Sequence, residues 1–192
     1  MRLILATRNA HKVRELEPLL APHELTLLPE EVELPPETGE TFAENALIKA
    51  RAAHAATGRP AVADDSGISA VALDGRPGVR SARYAGEDAT DEDNLAKLLR
   101  EVTPGGDTRV AYECVLAYVD GGGELTAHGS CEGELTHQPR GDGGFGYDPA
   151  FVPVDLQDGR TMSELSADEK DAISHRGRAA RALAARLRQE RP

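Results

Sequence analysis

Pro60-Ala61-Val62-Ala63-Asp64-Asp65-Ser66-Gly67 is the stretch on which the reading of this chain turns. Ala61, Val62 and Ala63 form a short apolar run suited to a buried strand, and the run gives way to two carboxylates, a hydroxyl and a glycine. In open α/β sheets ligands gather at the carboxyl ends of strands. A strand that stops at Asp64 therefore delivers these groups to a crevice, where they suit a metal and a phosphate better than a core. Strand side chains alternate between faces, so the two aspartates are expected to do different jobs: one faces the crevice while the other ties down the backbone. Taken alone, the same residues also read as a solvated turn, since each of them favours turns for its own reason.

Upstream, Leu3-Ile4-Leu5-Ala6 reads as a central strand, broken by Thr7-Arg8-Asn9 and followed by Val13, Leu16 and Leu20 at helical spacing. Strand, polar turn and helix is the layout in which backbone N–H groups at a helix start hold phosphate. Asn9 suits the N-cap, and Lys12 lies one turn in, within reach of an anion there. Neither standard nucleotide fingerprint is present. A short strand near Leu25 to Leu28 and an acidic, proline-bearing loop lead to Glu37. Thr41 and Glu44 then form a capping box, and the helix is predicted to run to about Thr57 with Gly58 as its exit residue. Phe42, Ala46, Ala50 and Ala53 mark its buried face, and Lys49 lies on an adjacent stripe that can face a cleft. Glu37, just before this helix, can share a cation with the aspartates.

Downstream, Ile68 to Leu73 reads as a further strand, followed by a turn-rich loop through Pro77. Thr90 to Asp93 caps another helix. Arg109–Val119 and Leu125–Leu135 read as an antiparallel hairpin turned by Gly121 to Gly123, and pairing through that turn brings Cys114 towards Cys131. A flexible loop delivers Phe145-Gly146-Tyr147-Asp148, two aromatics around a glycine, which suits a planar ring. Phe151 to Val154 is a short strand. Ser166 with Glu169 is a third capping box, followed by Lys170, and Ser174-His175-Arg176-Gly177 interrupts before an Arg-rich amphipathic helix.

With 192 residues, 40% of them apolar and 29% charged, the chain reads as one globular domain that can have two lobes. Its net charge of -11 argues against a nucleic-acid polymer as partner, which calls for a basic stripe. It leaves room for a small phosphorylated substrate held by local cations. The apolar opening is too short for a signal h-region, and no run approaches the roughly 20 residues of a membrane helix. The two cysteines form no C-x-x-C pair and the six histidines no zinc pattern. A cytoplasmic protein with reduced cysteines is expected.

The chain resembles the inosine triphosphate pyrophosphatase family, the Ham1-like nucleotide hydrolases, nearly from end to end. Six segments in the family's order carry the resemblance: L-A-T-R-N-A-H-K at Leu5–Lys12, E-T-G-E-T-F-A-E-N-A at Glu37–Ala46, A-D-D-S-G at Ala63–Gly67, P-G-V-R-S-A-R-Y-A-G at Pro77–Gly86, G-G-F-G-Y-D-P at Gly143–Pro149 and E-K-D-A-I-S-H-R-G at Glu169–Gly177. The resemblance implies a two-lobed α/β fold on a long mixed, twisted β-sheet flanked by helices, with the active cleft between lobes, and a homodimer. It also implies Mg2+-dependent cleavage of ITP, dITP and XTP to the monophosphate and pyrophosphate. Carried over by position, Thr7, Arg8, Asn9, Ala10, His11 and Lys12 bind the triphosphate, with Arg8 and His11 at variable positions of that motif. Glu37 and Asp65 hold the metal, and Asp65 is the proton acceptor. Lys49 lies near the phosphates and Ser66 contacts substrate. Phe145, Gly146, Tyr147 and Asp148 surround the base, and Lys170, His175 and Arg176 complete the nucleotide pocket, with the last two expected to read its 6-oxo edge. A Maf-like pyrophosphatase shares this logic but not the F-G-Y-D and S-H-R segments. A non-catalytic nucleotide sensor is the alternative from another class, and Glu37, Asp65 and Lys12 speak against it.

Overall fold

A computed structural model describes residues 1–190. Strand β1 (Arg2–Leu5) leads through helix α1 (Ala10–Leu19) to β2 (Glu24–Leu27), and helix α2 (Phe42–Thr57) precedes β3 (Ala61–Ala70). Helix α3 (Asp91–Glu101), strands β4 (Arg109–Asp120), β5 (Gly123–Leu135) and β6 (Phe151–Pro153), and helices α4 (Ala167–Ile173) and α5 (His175–Glu190) complete the order. The strands form one sheet in the order β2-β1-β3-β4-β5-β6. β1 is parallel to β2, with Leu3 opposite Leu25, and to β3, with Ile4 opposite Ala61, whereas β5 and β6 are antiparallel. The sheet is therefore mixed, as the sequence predicts.

The helix ends follow local chemistry. Thr41, Thr90 and Ser166 each accept from the backbone three residues on, while Glu44, Asp93 and Glu169 reach back, giving three reciprocal caps. Helix α2 stops at Gly58, whose φ of 65° is the left-handed geometry that favours glycine.

One expectation is overturned. The strand that begins at Ala61 does not end at Asp64: β3 continues through Asp64, Asp65, Ser66 and Gly67 to Ala70, and Val71–Leu73 is a 3-10 turn, not a separate strand. The turn preference of Asp, Ser and Gly reflects what their side chains do when no better partner is offered. Here the aspartates are offered buried cations, and extended pairing wins.

The chain divides into two compact units. One comprises Met1–Asp65, Cys114–Gly129 and the chain from His175 on; the other comprises Ser66–Glu113 and Ser130–Ser174. In the first unit the strands alternate between two clusters of buried residues. Leu3, Leu5, Val62, Cys114 and Leu116 pack with Leu16 and Leu20 of α1 and Ala179, Ala180, Leu183 and Leu187 of α5. Ile4, Ala6, Ala61, Ala63, Val115 and Ala117 turn the other way, against Ala46, Ala50 and Ala53 of α2. Gly129 allows the close approach of α5, since a Cβ there overlaps the His175 carbonyl and the Ala179 amide. In the second unit Ile68, Leu98, Val110, Tyr112, Cys131, Phe151 and Met162 form one core, with the Tyr112 and Phe151 rings stacked at 4.4 Å between centroids. Cys114 and Cys131 are not joined in a disulfide and lie in different clusters.

Candidate active site

Alternation along β3 sets the two aspartates apart. Asp64 follows Val62 onto the face covered by α1 and α5, and Asp65 follows Ala61 and Ala63 onto the face covered by α2. Both are buried, Asp64 at 1% and Asp65 at 5% exposure. Burying an unpaired carboxylate is prohibitive, and each face supplies its own cations.

On the first face the Lys12 ammonium of α1 sits against Asp64 Oδ1. Arg176, on the first turn of α5 and 2% exposed, places Nε 3.1 Å from Asp64 Oδ2 and turns Nη1 to Glu15, one turn beyond Lys12 on α1. The Cys114 thiol donates to Asp64 Oδ2 at 3.3 Å. Burial alone raises a carboxyl pKa, but here Lys12, Arg176 and Lys49 outweigh it and hold Asp64 far below the ordinary carboxylate range. The same environment pushes the Cys114 thiol well up, through burial first and the Asp64 charge second. Asp64 is thus a permanently ionised group joining β3 to α1 and α5, a larger task than tying down its own backbone.

On the second face Lys49 projects from α2, 6% exposed, and its Nζ donates to Glu37 Oε1 at 2.6 Å and to Asp65 Oδ1 at 2.8 Å. Burial opposes the ammonium, but Asp65, Glu37 and Asp64 together raise its pKa. Asp65 is pushed up to about 6, by burial first and by the Glu37 charge, against the pull of Lys49. The two carboxylates expected to hold a metal therefore meet at one positive charge. Among the described residues no three His, Cys, Asp or Glu side chains gather as a metal-binding set. Two carboxylates without thiol or imidazole suit a hard cation that completes its shell with water and substrate phosphate, as Mg2+ does.

Glu37 is held from behind. Buried Asn45 accepts from Gly39 N at 2.8 Å and donates to Gly39 O at 3.4 Å, while Glu44 accepts from the amides of Glu40 and Thr41. A Cβ on Gly39 would lie 2.6 Å from the Glu44 Cβ, so glycine is required there.

Thr7 to Lys12 turn as predicted. Thr7 Oγ1 accepts from Asn9 N, and Asn9 Oδ1 caps α1 by accepting from the amides of His11, at 2.8 Å, and Lys12, at 3.3 Å. Ala10 opens the helix. The Arg8 guanidinium does something no sequence signal announced: it donates to the carbonyls of Leu28, Pro29 and Val32 at 2.7, 2.7 and 2.9 Å.

In the second unit Asp148 is the hub. Its Oδ1 accepts from the Tyr112 hydroxyl at 3.0 Å, and its Oδ2 accepts from Phe145 N at 3.0 Å and from buried Lys170 at 2.7 Å. The Lys170 ammonium also lies 5.3 Å from the centre of the Phe145 ring. Gly146 N donates to Asp91. Tyr147 is a core residue: its hydroxyl donates to Ser81 O at 2.7 Å, and its ring belongs to the cluster that holds Ile68 and Leu98. Ser66 is half-buried on β3 beside Asp65, and His175 is buried at the start of α5.

The structure thus brings Lys12 and Arg176 together at Asp64, Glu37 and Lys49 at Asp65, and Phe145 and Lys170 at Asp148. Glu15, Tyr112 and Cys114 are not announced by the sequence, and Asn45 only as a member of the helix stripe that carries Lys49. Glu15 and Asn45 had a weak signal, one helical turn from Lys12 and Lys49 respectively; the other two had none.

The Ham1 family model matches residues 3–186. The dITP/XTP pyrophosphatase of Shigella flexneri is 48% identical over 97% of this chain and 98% of its own length, and that of Pectobacterium atrosepticum is 49% identical over the same shares. Among solved structures, a HAM1 protein from Coxiella burnetii superposes with a TM-score of 0.87 at 42% identity, over 98% of this chain and 99% of its own. The Ham1 protein of Staphylococcus aureus gives 0.88 at 35% identity over both full lengths. A likeness that runs through sequence and fold alike, and spans the turn at Thr7, the Asp64–Asp65 strand and the start of α5, makes this chain a member of the Ham1 family.

Proposed function

We propose that this chain hydrolyses non-canonical purine nucleoside triphosphates, ITP, dITP and XTP, to the monophosphate and pyrophosphate. Its curated relatives carry the name dITP/XTP pyrophosphatase. The observation that carries the chemistry is the convergence of Glu37 and Asp65 on the Lys49 ammonium. In this reading Glu37 and Asp65 would hold Mg2+, which when bound would neutralise phosphate charge.

Asp65 accepts the proton of the water that attacks the α-phosphorus. Lys49 meets the negative charge that develops there. Thr7, Asn9, Ala10 and Lys12 take the remaining phosphates at the start of α1. Ser66, Lys170 and His175 contact the nucleotide, and Phe145, Gly146 and Asp148 lie beside the base, with Tyr147 behind them in the core. Arg176 enters through Asp64, whose charge it balances.

Hypoxanthine and xanthine differ from adenine in a 6-oxo group and a ring N–H. A site whose buried groups hydrogen-bond that edge leaves them unpaired against adenine, which is rejected strongly. The enzyme is read as a cytoplasmic homodimer; no helix among the described residues is long and apolar enough to cross a membrane. The test is pyrophosphate release from ITP with Mg2+. The expected result is turnover by the wild-type chain and a loss of about 10²–10⁴-fold in Asp65→Asn. Near-normal release by a folded Asp65→Asn protein contradicts the role given to Asp65.

A further inference from the structure

Arg8 stands in the middle of the proposed phosphate turn, yet its guanidinium points away from that task. Nη1 donates to Leu28 O and Nη2 to Pro29 O, Val32 O and, at 3.4 Å, Glu30 O. One side chain thus meets four carbonyls within five residues. These open the connection between β2, which ends at Leu27, and α2, which begins at Phe42. Irregular connections longer than about 12 residues are uncommon in compact domains and are usually functional. Residues 28–41 carry Glu37.

The far end of this connection is fixed by Asn45 on Gly39 and by Glu44 on Glu40 and Thr41. Its middle is fixed by Lys49 on Glu37. The near end has Leu28 N on Leu5 O, then the fork of Arg8. Only a planar guanidinium with several donors spans such a set of acceptors; a lysine ammonium in its place is a single point charge.

We propose that Arg8 is a positioning residue: by clamping the carbonyls of residues 28–32 to the phosphate turn, it sets the entry of the loop that places Glu37 for the metal. This rests on the reading of Glu37 as a metal-holding carboxylate. Arg8 and most of these carbonyls are solvent-accessible. Truncation therefore leaves groups that water can satisfy, and the variant folds. Partners that orient a metal ligand from outside its first shell change metal affinity by about 10–100-fold when lost. Arg8 acts one step further out, so the lower end applies.

The experiment compares wild type, Arg8→Ala, Arg8→Lys and Glu37→Gln, with melting temperatures checked first. Mg2+ is titrated at saturating ITP, ITP is titrated at saturating Mg2+, and amide hydrogen exchange is followed without metal or nucleotide. The expected result for Arg8→Ala is a rise of about tenfold in the Mg2+ needed for half-maximal turnover. KM for ITP at saturating Mg2+ stays unchanged, exchange quickens across residues 28–40 and not in α2, and Arg8→Lys behaves like Arg8→Ala. A KM that rises at every Mg2+ concentration and is restored in Arg8→Lys makes Arg8 a phosphate ligand and overturns the proposal. So does faster exchange with an unaltered Mg2+ requirement. If Glu37→Gln keeps the wild-type requirement, the reading of Glu37 falls and takes the proposal with it; if Glu37→Gln loses it while Arg8→Ala does not, the proposal alone falls.

Discussion

Asp64 and Asp65 are chemically identical neighbours on one strand, and what separates them is the face each one takes. Asp64 meets Lys12, Arg176 and the Cys114 thiol, while Asp65 meets Lys49 and, through it, Glu37. Removing the Asp64 charge takes from Lys12 its buried carboxylate and leaves Arg176 with Glu15 alone, and breaking a buried ion pair from one side costs about 3–5 kcal/mol. Asp64→Asn is therefore expected to lower unfolding stability by about that amount in urea titrations at neutral pH. Asp65→Asn has only the shared Lys49 to upset and should unfold near wild type. Equal losses in the two variants would contradict the division. The alternation itself was legible in the sequence, because period two follows from extended backbone alone. Which cation each aspartate meets was not, since Lys12 and Arg176 are brought together by the packing of α1 and α5. Arg176 shows what motif reading leaves out: nothing in S-H-R tells that its guanidinium lies between Asp64 and Glu15.

Elements were most legible at their ends. Caps are local, so Thr41–Glu44, Thr90–Asp93, Ser166–Glu169 and the exit at Gly58 could all be read from residues a few positions apart. The end of β3 depends on partners distant in sequence, and the sequence reading stopped it too early. Helix α4 offers a test of cap chemistry beside Lys170. Glu169 accepts from Arg160 at 2.9 Å and from Ser166 N at 2.9 Å, and these bonds, the Arg160 one foremost, lower its pKa to about 2 from the usual 4.5. The folded value lies below the unfolded one, so the stabilisation is complete above pH 4.5 and is lost as pH falls towards 2. Glu169→Gln should therefore melt below wild type at pH 7 and converge with it near pH 2 in thermal scans. A gap that stays constant over that range contradicts the assignment.

For the whole molecule, the sign of the charge was the informative quantity. A chain of net charge -11 repels a triphosphate at long range, so capture has to be local. Lys12 and Lys49 in one unit and Lys170 in the other are each buried or half-buried against carboxylates. The α/β class was legible from apolar runs and their spacing, and the mixed sheet from the resemblance to the Ham1-like family. The distribution of Cys114 and Cys131 between separate cores was not, because it depends on where the chain passes from one unit to the other within β4 and β5. As a pyrophosphatase for ITP, dITP and XTP, this chain should discriminate against ATP through the 6-oxo edge. This discrimination is tested most directly by kcat/KM for pyrophosphate release from ITP, XTP, dITP, GTP, ATP and dTTP under one set of conditions. The expected result is that ITP, XTP and dITP exceed ATP and dTTP by roughly a hundredfold or more. Equal turnover of ATP and ITP, or a preference for dTTP, would contradict it.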